Sequence, residues 1–336
     1  VKKVFLFWML SVCITQSYAQ QLPQYTQYIF NNYLLNPALS GIENYIDVKL
    51  GYRKQWQGLE GAPETSYISL NMPIGKNFTG GDANGFPEKG DNPNNRSFVR
   101  DYMAAEPHHG IGINAVVDKA GPLQRTDVNL TYAYHLGLSS RVNLAAGIAA
   151  GVSRVSLDIS KVSLENKSDP AIVSGQDNDL QPNLSAGLWL YGPAFFAGVS
   201  AQQLLGRQIS FTNDNKYDEG KQVMHVFATA GYKFFLGENI TATPSVMFKY
   251  ISPAPTSVDM NLKLAFQDKF WLGGGYRNKD SFSAMAGFNV SYLFNLSYSY
   301  DFTTSQLNTV SNGTHEIVLG LLLNNRYRVT CPQRQF

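Results

Sequence analysis

The side chains best suited to ligating a metal, or to acting as nucleophile or base, are five histidines and two cysteines. They do not assemble into a motif. His108 and His109 are adjacent, so a strand turns them to opposite faces. No further His or Cys stands near them at ligand spacing, and no zinc site is expected. His135 and His225 fall in strand-like segments, but neither is accompanied by a serine in a hydrolase-like context. "GGDANG" and "LGGGYR" are glycine-rich without being a P-loop or a dinucleotide fingerprint. No enzyme activity, metal or cofactor is expected from these residues.

The elements that carry them point elsewhere. The chain begins "VKKVFLFWMLSVCITQSYAQ": a basic pair, a short apolar run from Val4 to Ile14, and Ser17-Tyr18-Ala19 before Gln20. This reads as a signal peptide over 1–19. The apolar run is about half of the ~20 residues a spanning helix needs. Cleavage after Ala19 removes two lysines and no acid, which takes the formal charge from +2 to zero. A neutral chain offers no field that attracts nucleic acid. Cys331 is then the one cysteine left, so no internal disulfide is available.

Periodicity sets the fold class. In "VNLTYAYHLGL", "VDMNLKLAF" and "FNLSYSYDF", large apolar residues alternate with polar or small ones, as on a strand with one greasy face. Many such segments run for ~9–11 residues, the length of a tilted transmembrane strand. Trp56, Tyr191, Phe234, Phe235, Tyr250, Phe270, Trp271, Tyr276, Tyr292 and Phe302 lie near their ends, where aromatic girdles are expected. Segments 45–56, 65–73, 110–118, 122–136, 141–157, 182–190, 193–203, 222–236, 240–251, 256–266, 269–277, 281–290, 292–302 and 313–323 give about 14 strands. The expected fold is all-β, an antiparallel outer-membrane β-barrel over 45–324. Asp47, Lys49, Arg53, Asp259, Lys263 and Asp301 are placed to face its lumen and pair there.

Short inner turns should alternate with longer outer loops. Residues 74–109 break this alternation. Either the register differs there or the barrel carries a large periplasmic insert. Before the barrel, residues 20–44 place Tyr25, Tyr28, Ile29, Asn32 and Tyr33 at helix-like spacing. Asn36-Pro37 stops any such helix. The segment is either a plug in the barrel mouth or a periplasmic strap beneath it. In "YRKQWQGLEGAPETSYISL", Arg53 should point to the lumen or to an acid, and Trp56 should anchor at the lipid–water interface. Gly61 and Pro63 shape the outer hairpin loop that also carries Glu60. Residues 325–336, with Cys331 and Pro332, read as a periplasmic tail.

Six segments taken in order carry a resemblance: "QYTQYIFNNYLLNPALSG", "YRKQWQGLEGAPETSYISLNMPI", "VVDKAGPLQRTDVNLTYAYHL", "KYISPAPTSVDMNLKLAFQDKFWLGGGYRNKDSFSAMAGFNV", "YSYDFTTSQLNTVSNGTHEIVL" and "CPQRQF". Together they resemble the PorP/SprF family, outer-membrane proteins associated with the type IX secretion system of the Bacteroidetes. The resemblance implies a barrel that supports secretion or surface attachment of a cognate cargo, such as a gliding adhesin. It implies as partners that cargo, periplasmic components near the peptidoglycan, and outer-membrane lipid. It brings no catalytic residues. The family is similar in plan to fatty-acid-transporter barrels, whose N-terminal segment carries an Asn-Pro-Ala motif and plugs the lumen. Asn36-Pro37-Ala38 matches that motif. Asn36, Pro37, Arg53, Trp56, Glu60, Gly61, Pro63, Cys331 and Pro332 are the expected motif and partner-contact residues. The alternative is a porin-like transporter of small hydrophobic or polar solutes.

Overall fold

The structure is a computed structural model and describes residues 23–75, 102, 104–158, 178–206, 208–209, 220–252, 254–267, 269–291 and 293–324. The expected signal segment 1–19, most of the 74–109 connection, Tyr292, and the expected tail 325–336 with Cys331 and Pro332 lie outside the described residues.

The wall consists of β1 (Ile46–Lys54), β2 (Glu64–Ile74), β3 (His108–Ala120), β4 (Leu123–Ser139), β5 (Val142–Leu157), β6 (Asn178–Tyr191) and β7 (Phe195–Gln202), followed by β8 (His225–Tyr232), β9 (Ile240–Ile251), β10 (Ser257–Phe266), β11 (Phe270–Arg277), β12 (Ser281–Asn289), β13 (Phe294–Thr303) and β14 (Thr314–Leu323). Each strand pairs antiparallel with its neighbour in sequence, and β1 pairs with β14 to close the barrel. Phe234–Phe235 continues the edge beyond β8 against β9. Closure matters because hydrocarbon offers no partner to an unpaired N–H or C=O.

The alternation in the sequence becomes the two faces of the wall. On β13, Phe294, Leu296, Tyr298 and Phe302 are exposed on the outer side, while Asn295, Ser297, Ser299, Asp301 and Thr303 are buried inside. The same parity runs around the barrel, with Leu130, Ile148, Leu188, Phe248, Leu262 and Leu272 outside. The buried core therefore lies in the lumen. Two expected girdle residues belong there as well. Tyr191 and Trp271 are 1% and 5% exposed, because each occupies an inward position of its strand. Trp271 packs in the lumen near Phe30, and the Tyr191 hydroxyl meets His135.

The long connection is not a slip of register. Ile74 pairs with His109, so β2 and β3 are regular neighbours. Their connection leaves from the same end as the short turns after β4, β6 and β10.

Candidate functional site

Inside the barrel, residues 26–41 run from one end of the lumen to the other. They form three 3₁₀ turns, Gln27–Ile29, Asn32–Leu34 and Pro37–Leu39, rather than one helix. Two features break the helix. Asn31 leaves the helical region at φ −137, ψ 60, and its amide donates to Ser69 on β2 at 3.2 Å. Asn36 is extended before Pro37, and its Oδ1 accepts from the Ala38 N–H at 3.0 Å. Short polar side chains compete with the helix for these bonds.

A buried charge cluster holds the first turn. Arg53 is 2% exposed. Its guanidinium donates to Asp301 Oδ2 and Glu316 Oε2, both at 2.9 Å. It also donates to the Thr26 hydroxyl at 2.6 Å. Thr26 donates its N–H to Glu316 at 2.8 Å and its hydroxyl to Asp301 at 2.6 Å. One cation on β1, two carboxylates on β13 and β14, and one residue of the segment thus meet across the closing seam through Asp301 Oδ2 and Glu316 Oε2, while Arg53 Nε, Asp301 Oδ1 and Glu316 Oε1 are buried beside them without a hydrogen bond. Buried charges persist only when paired and hydrogen-bonded in this way.

The last turn sits in a trough in the opposite part of the wall. Gly110, Ala133, Gly147, Gly187 and Ser200 are consecutive partners across β3 to β7 and form one transverse row of small residues. A Cβ at Gly147 would fall on the Pro37–Ala38 backbone, and one at Gly187 on the Asn36 carboxamide. Asn36 Nδ2 donates to the Leu188 carbonyl at 3.0 Å. Ser200 and Gln202 donate to the carbonyls of Leu35 and Leu34 at 2.7 and 2.8 Å. His135 Nε2 meets the Ser40 carbonyl at 2.8 Å, and His108 Nε2 meets the Gly41 carbonyl at 3.1 Å. The two rings stack with centroids 4.4 Å apart. Apolar contacts complete the seat: Tyr28, Ile29, Phe30 and Leu35 join one cluster with Trp271 and Phe227, and Tyr33, Ala38 and Leu39 join another with Trp189 and Phe196.

The expected site residues do not form one centre. Asn36 and Pro37 lie in the trough, and Arg53 lies at the other end of the segment. Trp56, Glu60, Gly61 and Pro63 belong to the loop after β1, where Pro63 O accepts from Gln55 N at 2.9 Å and Gly61 O from Gly121 N at 2.9 Å. Sequence reading missed Glu316, His108, His135 and the small-residue row as partners of the segment. Its one available signal was the glycines on inward strand positions. Among the described residues no group of three or more His, Cys, Asp or Glu is arranged to hold a metal.

Residues 17–321 match the family described as "Type IX secretion system membrane protein PorP/SprF". The chain therefore belongs to the PorP/SprF family. No curated protein matches it. Among solved structures, the Ralstonia pickettii toluene transporter TbuX is similar at 11% identity and a TM-score of 0.49, over 85% of this chain and 91% of that one. The Acinetobacter baumannii outer membrane protein Omp33 is similar at 9% identity and 0.46, over 84% and 100%. A Pseudomonas aeruginosa FadL homologue is similar at 9% and 0.44, over 89% and 94%. The closed barrel and the family together place the protein in the outer membrane.

Two outcomes follow from the seat. Arg53→Ala strands two buried carboxylates, so it should lower stability by about 3–5 kcal/mol in denaturant titration of the reconstituted barrel. Burial pushes the Tyr33 phenol up to about 12, against hydrogen bonds with Thr131, Asn114 and Ser40 that pull it down. The freed phenol ionises near its ordinary value of 10 while the seated one stays neutral, so seating is unaffected below pH 10 and weakens from there towards 12. A tyrosinate absorbance titration that subtracts Tyr33→Phe from the unaltered protein should place this phenol near 12.

Proposed function

We propose that this PorP/SprF-family barrel is a non-enzymatic outer-membrane component of type IX secretion that supports secretion or surface attachment of a cognate cargo. In this reading residues 20–44 plug the lumen, and the barrel works as a docking platform rather than an open pore. The observation that carries it is the seating of residues 26–41 by both wall-to-main-chain and wall-to-side-chain bonds. Partners are the cargo or adhesin on the outer side and peptidoglycan-associated components on the periplasmic side. The loop with Trp56, Glu60, Gly61 and Pro63 is offered to cargo, and the tail with Cys331 and Pro332 to periplasmic partners.

A second reading is passage of small solutes beside the plug. One observation favours it. A cavity of about 50 Å³, lined by polar and apolar side chains alike, lies between Tyr33 and Leu35 of the segment and Asn114, Asn129, Val116 and Phe227 of the wall. That space suits a few water molecules, which ranks this reading second.

A disulfide separates the two. The Ser40 and Thr131 hydroxyls lie 2.8 Å apart, so Ser40→Cys with Thr131→Cys can lock the segment to β4 once Cys13 and Cys331 are replaced by serine. Cargo on the cell surface should be equal with the lock oxidised or reduced, and planar bilayers should show no conductance in either state. Cargo lost on oxidation and restored on reduction would overturn the platform reading. Conductance appearing only on reduction would favour the solute channel.

A further inference from the structure

Among the described side chains of the barrel strands, charged ones point inward with one local exception. Among the described side chains of the strands, Lys54, Glu64, Lys119 and Arg154 are the charged ones on the outer face. They do not scatter. His315 pairs with Lys54, Lys54 with Glu64, and Glu64 with Lys119, which makes one transverse row over β14, β1, β2 and β3. Arg154 on β5 pairs with Thr126, itself the partner of Val117, and so lies two residues further along from the same end. The arc from β6 to β13 carries no such side chain among its described outward positions.

The row lies at one membrane interface. It sits at the end where residues 55–63, 158–177, 203–224 and 304–313 join the strands, beside the two-residue turn 121–122; the turns after β4, β6 and β10 and the 75–107 connection are at the other end. Longer loops mark the outer side of such barrels. Tyr52 and Tyr298 lie beside it on the outer face, each 43% exposed. The Tyr298 hydroxyl lies 2.7 Å from His315 Nδ1. A cation facing lipid is costly at the midplane and nearly free at the interface. Lys54 and Glu64 pair at 3.0 Å and offset each other's charge. Of the four charged side chains three are cations and one is an acid, so cationic groups predominate along the arc. Lys and Arg bind phosphate through charge-assisted hydrogen bonds, and Arg does so in bidentate fashion.

We propose that this arc is a binding site for the phosphates of an outer-leaflet glycolipid. The lipid's acyl chains lie on the apolar wall beneath, around Leu50, Ile68 and Ile317. Because the row crosses the β1–β14 junction, the lipid also bridges the strands that close the barrel. The proposal depends on the barrel and its membrane, not on the nature of any cargo.

The test uses the full-length protein in detergent, stripped of lipid. Bis-phosphorylated lipid A, its dephosphorylated form and inorganic phosphate are titrated separately. Bound copies are read by native mass spectrometry and stabilisation by the shift in Tm. The unaltered protein should prefer the phosphorylated lipid by about tenfold or more. Lys54→Gln/Lys119→Gln/Arg154→Gln should lose that preference while keeping the gel mobility of a folded barrel. Lys269→Gln, a cation in the turn at the opposite end, should keep it. If the triple variant does not fold, Lys119→Gln and Arg154→Gln alone should each reduce the preference by a few fold. Equal binding of the two lipids, or an undiminished preference in these variants, overturns the proposal. Stabilisation by inorganic phosphate equal to that by the lipid at the same concentration overturns it in favour of a free-anion site.

Discussion

A strand in hydrocarbon has no water to satisfy its edge, so every N–H and C=O must find a strand partner. The rest of this structure follows from that constraint. It forces β1 onto β14. Closure then fixes two faces, and the side-chain period of two sends large apolar residues out and Ser, Thr, Asn and charged residues in. An eight-stranded barrel can fill its interior with side chains alone, whereas much larger barrels leave a channel. With 14 strands this lumen is wider than its own side chains can fill, and residues 26–41 occupy it.

The lumen is polar, so whatever fills it must be bound by hydrogen bonds as well as by contact. The two ends of the segment solve this differently. At the Thr26 end a buried cation meets two carboxylates, and the segment adds a hydroxyl and an N–H to the cluster. At the Ser40 end the wall withdraws its side chains through Gly110, Gly147 and Gly187, then holds carbonyl oxygens with Ser200, Gln202, His108 and His135. The first end depends on charge and the second on shape. Lipid contact imposes the reverse rule outside, where charge survives only at the rim.

Strand class and order were legible because alternation over a lipid-facing wall is a strong, local signal. Arg53 was read as lumenal for the same reason, since an outward charge one residue from Lys54 and inside the belt would be costly. Its partners were not legible. Asp301 and Glu316 lie more than two hundred residues away in sequence, and only barrel closure brings them to β1. Tyr191 and Trp271 were misplaced for a related reason. An aromatic near a strand end looks like a girdle residue until the strand's parity is known, and one residue of register reverses its face. The segment's helix-like spacing was real, but Asn31 and Asn36 divided it into short turns through bonds to distant strands.

The central claim is that residues 26–41 are part of the folded barrel's interior. Hydrogen–deuterium exchange of the full-length protein in lipid nanodiscs tests it most directly. The account predicts amide protection across 26–41 comparable to that of β1 and β14, and rapid exchange at Gly58, Glu60 and Gly61 of the exposed loop after β1. Exchange across 26–41 as fast as in that loop, with the strands still protected, would contradict it.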